Sequence, residues 1–248
     1  LEPVPSEMEG RIWLCWWQGL EHAPEIVKCC VESIQRNAGC HEVTIITEDN
    51  LEQYVSIPDW VKSKQGEGII SRTNLSDLLR LSLLAKYGGL WLDSTFYCTR
   101  SLEDMAFKVP LFSIKRPDYL HCSVAQGYFA GYSLACDADH RRIFATIRDF
   151  FLEYWRTSDF LVDYLLVDYM IVMAQRYDSS IADAFAAIEP NNPYGDNLYK
   201  VLGEPYDAGL WKELSEDTSL FKLTWKHEFP EQREGKPTFY AKLLKGEL

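Results

Sequence analysis

Positive charge is scarce in this sequence. Lysine and arginine total 25 against 37 aspartates and glutamates, a formal net charge of −12 over 248 residues. That balance repels phosphate backbones and anionic headgroups, so nucleic acid is not an expected partner. No run of about 18 apolar residues occurs and no signal peptide opens the chain at Leu1, so no transmembrane segment is expected. The seven cysteines (Cys15, Cys29, Cys30, Cys40, Cys98, Cys122, Cys136) are odd in number and form no CxxC pair. This argues against a disulfide framework and a structural zinc site. Reduced thiols point to the cytoplasm, with peripheral association at the inner face of the membrane still open to a chain without a span. There is no internal repeat and no low-complexity tract. Hydrophobic residues make up 47%, enough for one sizeable core, and one domain over 1–248 is expected.

The rest of the chain is organised around residues 72–99. Leu75, Leu78, Leu79, Leu81, Leu83, Leu84, Ala85 and Tyr87 spread round the whole helical wheel, which predicts a helix enclosed on all sides. Asp77 and Arg80 lie about 60 degrees apart on that wheel and share one side of an otherwise apolar rod. Buried charges there need each other or a ligand. Gly88-Gly89 ends the helix, and Leu90-Trp91-Leu92 reads as an internal strand. Asp93 then stands at a strand's carboxyl end, the edge where open α/β sheets bind ligands, followed by the small polar Ser94 and Thr95. A turn aspartate capping its own backbone is the plainer alternative.

Before this stretch, Arg11–Trp17 reads as a strand, a helix led by Pro24 breaks near Asn37-Ala38-Gly39, and Glu42–Thr47 is a second strand. This order predicts a parallel βαβ unit with a right-handed crossover. Pro58 opens a short helical turn. After it, Val109–Lys115 and Ser123–Ala130 read as strands about a turn at Arg116-Pro117-Asp118, residues 139–187 as helical, and Leu220–Thr224 as a short strand. The chain thus reads as two halves of different character, 11–99 and 100–248.

The run SDLLRLSLLAKYGGLWLDST resembles the Asp-x-Asp sugar transferases, and the chain as a whole resembles the bacterial capsular polysaccharide synthesis protein family. The opening WWQG, the YGGLWLDST block, the VDYLLVDY helix and the late LTWK strand carry this likeness in order, over about residues 11–245. It implies an α/β fold of the GT-A kind, with a mostly parallel sheet flanked by helices, residues 11–99 forming the donor-nucleotide half and residues 100–248 the acceptor-side half. It also implies a glycosyltransferase moving a hexose from a UDP-sugar to a free or lipid-linked glycan in bacterial capsular or surface polysaccharide synthesis, with retained configuration. In that resemblance Asp77 and Arg80 contact donor sugar and diphosphate, Asp93 contacts ribose and a divalent cation (Mn²⁺ or Mg²⁺), and Trp17 and Gln18 receive the base. Thr95 stands where the second carboxylate is usual, and a hydroxyl is a weaker metal ligand.

The departing diphosphate needs positive charge, from a metal or from side chains. Lys226 and Lys236 are the candidates, in the segment that related transferases fold over the diphosphate, with His227 as a metal ligand beside Asp93; a solvated basic tail is the alternative. Asp163 and Asp168 fall about 140 degrees apart on a helix, so at most one faces a site, and the resemblance favours Asp168 as catalytic. Two other functions fit parts of the chain. Gly131-Tyr132-Ser133-Leu134-Ala135 reads as a nucleophile elbow for a serine hydrolase using Ser133. A nucleotide-sugar-binding protein without turnover fits Thr95.

Overall fold

The computed structural model describes residues 1–117 and 122–248, so the expected turn at 116–118 runs at Asp118 into residues outside the description. The chain opens with β1 (Ile12–Cys15), α1 (Glu25–Asn37) and β2 (Val43–Ile46). Pro24 fixes the residue before α1, and Gly39, at φ 64°, follows its end. Ile26, Val27, Cys30, Val31 and Ile34 supply its buried face. As the βαβ pattern predicts, β1 and β2 pair in parallel, with Ile12 opposite Val43. Two short helices, α2 (Leu51–Tyr54) and α3 (Asp59–Gly66), lead to α4 (Arg72–Tyr87), β3 (Gly89–Leu92) and β4 (Phe96–Cys98). Next come β5 (Leu111–Ser113), β6 (Ser133–Cys136), α5 (Arg141–Thr157), α6 (Leu166–Tyr177) and α7 (Ser179–Ala186). The remainder is α8 (Asn197–Val201), α9 (Ala208–Glu216), β7 (Leu220–Lys222), β8 (Gln232–Arg233), β9 (Lys236–Pro237) and α10 (Phe239–Leu244).

The central sheet has the order β2-β1-β3-β6-β5. β3 is parallel to β1, β6 antiparallel to β3, and β5 antiparallel to β6. Four strands therefore point one way and β6 alone runs against them, a mostly parallel α/β sheet. Alternate residues along each strand enter opposite cores. Trp13, Trp91, Leu134 and Leu111 join α4, α5 and α6 on one face. Ile12, Leu14, Leu90, Ala135 and Phe112 join α1 and α10 on the other. Cover on both faces is why these strands are mostly apolar. A second, two-stranded sheet pairs β4 with β7. All seven cysteines are free. No described helix is long and apolar enough to cross a membrane.

Helix α4 is the buried rod the leucines predict, with Leu79, Leu81, Leu83 and Leu84 inaccessible to solvent. Ser71 caps its start by accepting from the Asn74 amide. Gly88 ends it at φ 70°, its amide donating to the Leu84 carbonyl. Gly89, at φ 86°, opens β3 so close to β1 that a Cβ there would lie 2.2 Å from the Arg11 carbonyl oxygen. The two glycines thus turn the chain from helix to central strand within one residue.

Three expectations shift. Ser123–Ala130 forms turns, not a strand; Gln126 and Gly127 both take positive φ, which strand pairing excludes. The paired strand falls later, at Ser133–Cys136. Pairing within 109–115 is confined to Leu111–Ser113. Segment 139–187 is three helices, and Asp163 precedes α6, where its carboxylate accepts from the Leu165 amide at 2.7 Å.

Gly89→Ala should therefore destabilise the fold by more than about 3 kcal/mol, since backbone sits where its methyl would go. Gly66→Ala, at the end of α3 with open space around it, should be neutral or stabilising by up to about 1 kcal/mol. Urea melts of both variants check the contrast, and equal midpoints would refute it.

Candidate active site

Because β1 and β3 are parallel, their carboxyl ends share one edge of the sheet. Trp16, Trp17 and Gln18 leave β1 there, and Asp93, Ser94 and Thr95 leave β3. One cavity of about 350 Å³ opens on this edge beside Trp17, Gln18 and Glu48, and two others adjoin each other around Asp93. The larger of these two, about 730 Å³, is walled by Trp16, Trp17, Gln18, Thr95 and Trp225 among others. The smaller, about 410 Å³, lies against Asp77, Arg116, Tyr132, Asp168 and Asp196. Arg80, Asp93, Tyr164 and Lys222 line both.

Arg80 is 6% exposed and gathers groups from several elements. Its Nη2 lies 3.1 Å from Asp77 Oδ1 and 3.4 Å from Asp93 Oδ1. Its Nη1 donates to the Gly131 carbonyl, its guanidinium stands 5.1 Å over the Trp91 ring, and its buried Nε has no protein partner. Burial pushes Asp77 up to about 6, opposed by Arg80 and an Asn74 hydrogen bond and reinforced by Asp93. Asp168, in the first turn of α6, is pushed up to about 7 by burial; Arg80 and the Gly131 amide lower it, and Asp77 and Asp163 raise it. A Cβ on Gly131 would come within 2.4 Å of Asp168 Oδ1, so a side chain at 131 would displace this carboxylate. Farther into the smaller cavity, Arg116 donates to Asp196 at 2.8 Å and to the Tyr132 hydroxyl at 3.0 Å.

The residue that sequence reasoning missed is Lys222. Antiparallel pairing of β4 with β7 sets it opposite Phe96. Its Nζ donates to Thr95 Oγ1 at 2.6 Å and stands 3.5 Å from Asp93 Oδ2. The Phe96 and Tyr132 rings each lie 5.8 Å from it. The available signal was a lone cation between Phe221 and Leu223 in an otherwise apolar strand. Of the basic residues chosen from sequence, Lys226 is exposed at the mouth of the larger cavity. Lys236 is exposed on the β8–β9 hairpin, and His227 is exposed beside Tyr199, 6.1 Å between rings. Neither lines the two cavities.

Trp17 and Gln18 do line the larger cavity. Trp16 stands edge-on to Trp225 at 5.7 Å, its buried indole Nε1 without a protein partner. Ser133 is a correction. It begins β6 with no solvent exposure and its hydroxyl accepts from the Ile114 amide, so no substrate reaches it and the hydrolase arrangement is absent. Among the described residues the one trio of clustered metal-ligand types is Cys40, His41 and Glu103, at the opposite, amino edge of the sheet.

The family described as capsular polysaccharide synthesis protein matches residues 2–243. The O-glycosyltransferase PaGT of Phomopsis amygdali is 30% identical over 111 residues, which cover 41% of this chain and 27% of that protein's length. Among solved structures, the PaToxG glycosyltransferase is similar at TM-score 0.48 and 14% identity, over 71% of this chain and 73% of its own. The WbbM bifunctional glycosyltransferase has TM-score 0.48 and 10% identity, over 99% of this chain and 50% of its own.

Asp168 gives a pH test. Its folded-state pKa lies above its unfolded value, so the folded form binds the proton more tightly and stability falls as pH rises from about 4 to about 7. Asp168→Asn removes the charged carboxylate and should raise stability by about 2–4 kcal/mol at pH 8. The gain should shrink toward pH 4 in thermal melts, and a shift equal at every pH would show that the carboxyl titrates normally.

Proposed function

The chain belongs to the capsular polysaccharide synthesis protein family, and from that premise we propose that it is a glycosyltransferase moving a hexose from a UDP-sugar to a glycan hydroxyl. The observation that carries this reading is Asp93, at a strand's carboxyl end where two cavities meet, with Arg80 on one oxygen and Lys222 on the other. Both cavities fall in the ordinary range for small-molecule sites. The larger suits the nucleotide: Trp16 and Trp17 offer faces for a base. Two buried donors lacking protein partners, Trp16 Nε1 and Arg80 Nε, belong to residues in its wall and await acceptors such as carbonyl or phosphate oxygens. The smaller, with Asp77, Asp168, Asp196 and Arg116, suits the hydroxyls of a hexose.

In the proposed reaction, the bond between the anomeric carbon and the diphosphate oxygen breaks and its electron pair leaves with the diphosphate. The acceptor oxygen bonds to the anomeric carbon on the same face, and its proton passes to the departing phosphate oxygen, so configuration is retained. The sugar passes through an oxocarbenium-like state whose positive charge the carboxylates of Asp77 and Asp168 stabilise. Family membership supports a capsular or other bacterial surface glycan as acceptor, free or lipid-linked, met in the cytoplasm or at the inner membrane face.

A divalent ion fits the donor set poorly. Both oxygens of the Asp93 carboxylate face cations, and the Thr95 hydroxyl is already engaged by an ammonium. No step is routed through a metal.

Asp93→Asn should lower UDP release from a UDP-hexose in the presence of acceptor glycan by about a hundredfold or more, as loss of a transition-state electrostatic group does. The melting temperature should change little. A variant as fast as wild type overturns the site; UDP binding by a wild type that never releases UDP from any UDP-sugar would favour a binding protein without turnover. In wild type, kcat/KM should rise with pH and level off above about 7 as Asp168 ionises.

A further inference from the structure

We infer that Lys222 supplies the positive charge that a divalent ion supplies in two-carboxylate sugar-transferase sites, so that the donor diphosphate is held and released without a metal. This deepens the glycosyl-transfer reading and rests on it.

The geometry carries the inference. The register of β4 with β7 fixes Lys222 opposite Phe96, and the Leu223 amide donates to the Thr95 carbonyl, which locks the two segments together. The ammonium is thereby delivered to Thr95, the position that holds the second carboxylate in Asp-x-Asp sites. It is 2.6 Å from Thr95 Oγ1 and 3.5 Å from Asp93 Oδ2, between two aromatic rings, with its side chain 25% exposed. An ammonium carries three N–H donors. One serves Thr95, a second faces Asp93, and the third is left for a ligand. A carboxylate at 95 would neutralise this lysine; a hydroxyl orients it and leaves its charge intact. Arg80 stands on the other Asp93 oxygen with Nε open. Arg80 is shared with Asp77, but both Asp93 oxygens already face cations, which leaves no open carboxylate oxygen there for a metal ion, while the remaining ammonium donor suits a diphosphate oxygen. As the anomeric bond breaks and its electron pair moves to the phosphate oxygen, Lys222 hydrogen-bonds that oxygen and keeps its own proton. The proton that the diphosphate gains comes from the acceptor hydroxyl.

The test is calorimetric binding of UDP, together with UDP release from UDP-glucose and UDP-galactose, each with EDTA and with Mn²⁺. Wild type should bind UDP within about twofold in the two conditions. Lys222→Met should lose about 10- to 100-fold in affinity, the loss expected for a charge-assisted hydrogen bond, and Lys222→Arg should recover most of it. Wild-type binding that collapses in EDTA and returns with Mn²⁺ overturns the inference. So does a folded methionine variant that binds UDP as tightly as wild type. If the methionine variant does not fold, the EDTA comparison on wild type decides alone. If wild type binds no nucleoside diphosphate or UDP-sugar in either condition, the glycosyl-transfer reading itself falls, and this inference with it.

Discussion

A single buried guanidinium holds the candidate site together. Arg80 ties α4 to itself through Asp77, to the end of β3 through Asp93 and to the start of β6 through the Gly131 carbonyl. It also opposes the raised pKa of Asp168 on α6. Several carboxylates converge on one cation in a desolvated place, and Asp77 and Asp168 are raised chiefly by that burial, with the neighbouring carboxylates adding to it. A buried pair of this kind contributes little net stability, yet leaving its partners uncompensated costs about 3–5 kcal/mol. Its worth is to fix geometry and to leave one donor, Nε, unused.

The reversed strand is what closes the site. Because β6 runs against its neighbours, its amino end lies at the same edge as the carboxyl end of β3, and the Asp93 amide donates to the Tyr132 carbonyl. Gly131 and Tyr132 thereby reach the Asp93 edge. In a wholly parallel sheet those residues would sit at the far side. The absence of a side chain at 131 is what lets α6 bring Asp168 against the strand start.

Much of this was legible in sequence wherever local pattern dictated structure. Leucines round the whole wheel of α4, the double glycine that stops it and the three-residue apolar strand placed Asp77, Arg80 and Asp93 before any coordinates. Pro24 and Gly39 bracketed α1 in the same way. What stayed hidden depends on pairing between distant segments. Lys222 reaches Thr95 across 127 residues through the β4–β7 register, which no local periodicity encodes. Arg116, Tyr132 and Asp196 meet by the same kind of long-range closure. The strand expected at 123–130 failed because apolar alternation there is overridden by positive φ at Gln126 and Gly127. The helix assumed to carry both Asp163 and Asp168 begins only at Leu166, so their angular separation on one wheel was never the relevant geometry.

The β4–β7 pairing also bears on how the protein becomes functional as it is made. Asp77, Arg80 and Asp93 all lie within the first hundred residues. The site's second cation arrives with β7, after the helices between have been synthesised. Before β7 is in place Asp93 faces Arg80 and the Trp91 indole N–H, without the ammonium. Pairing of β7 with β4 and arrival of a second cation beside Asp93 are thus one event.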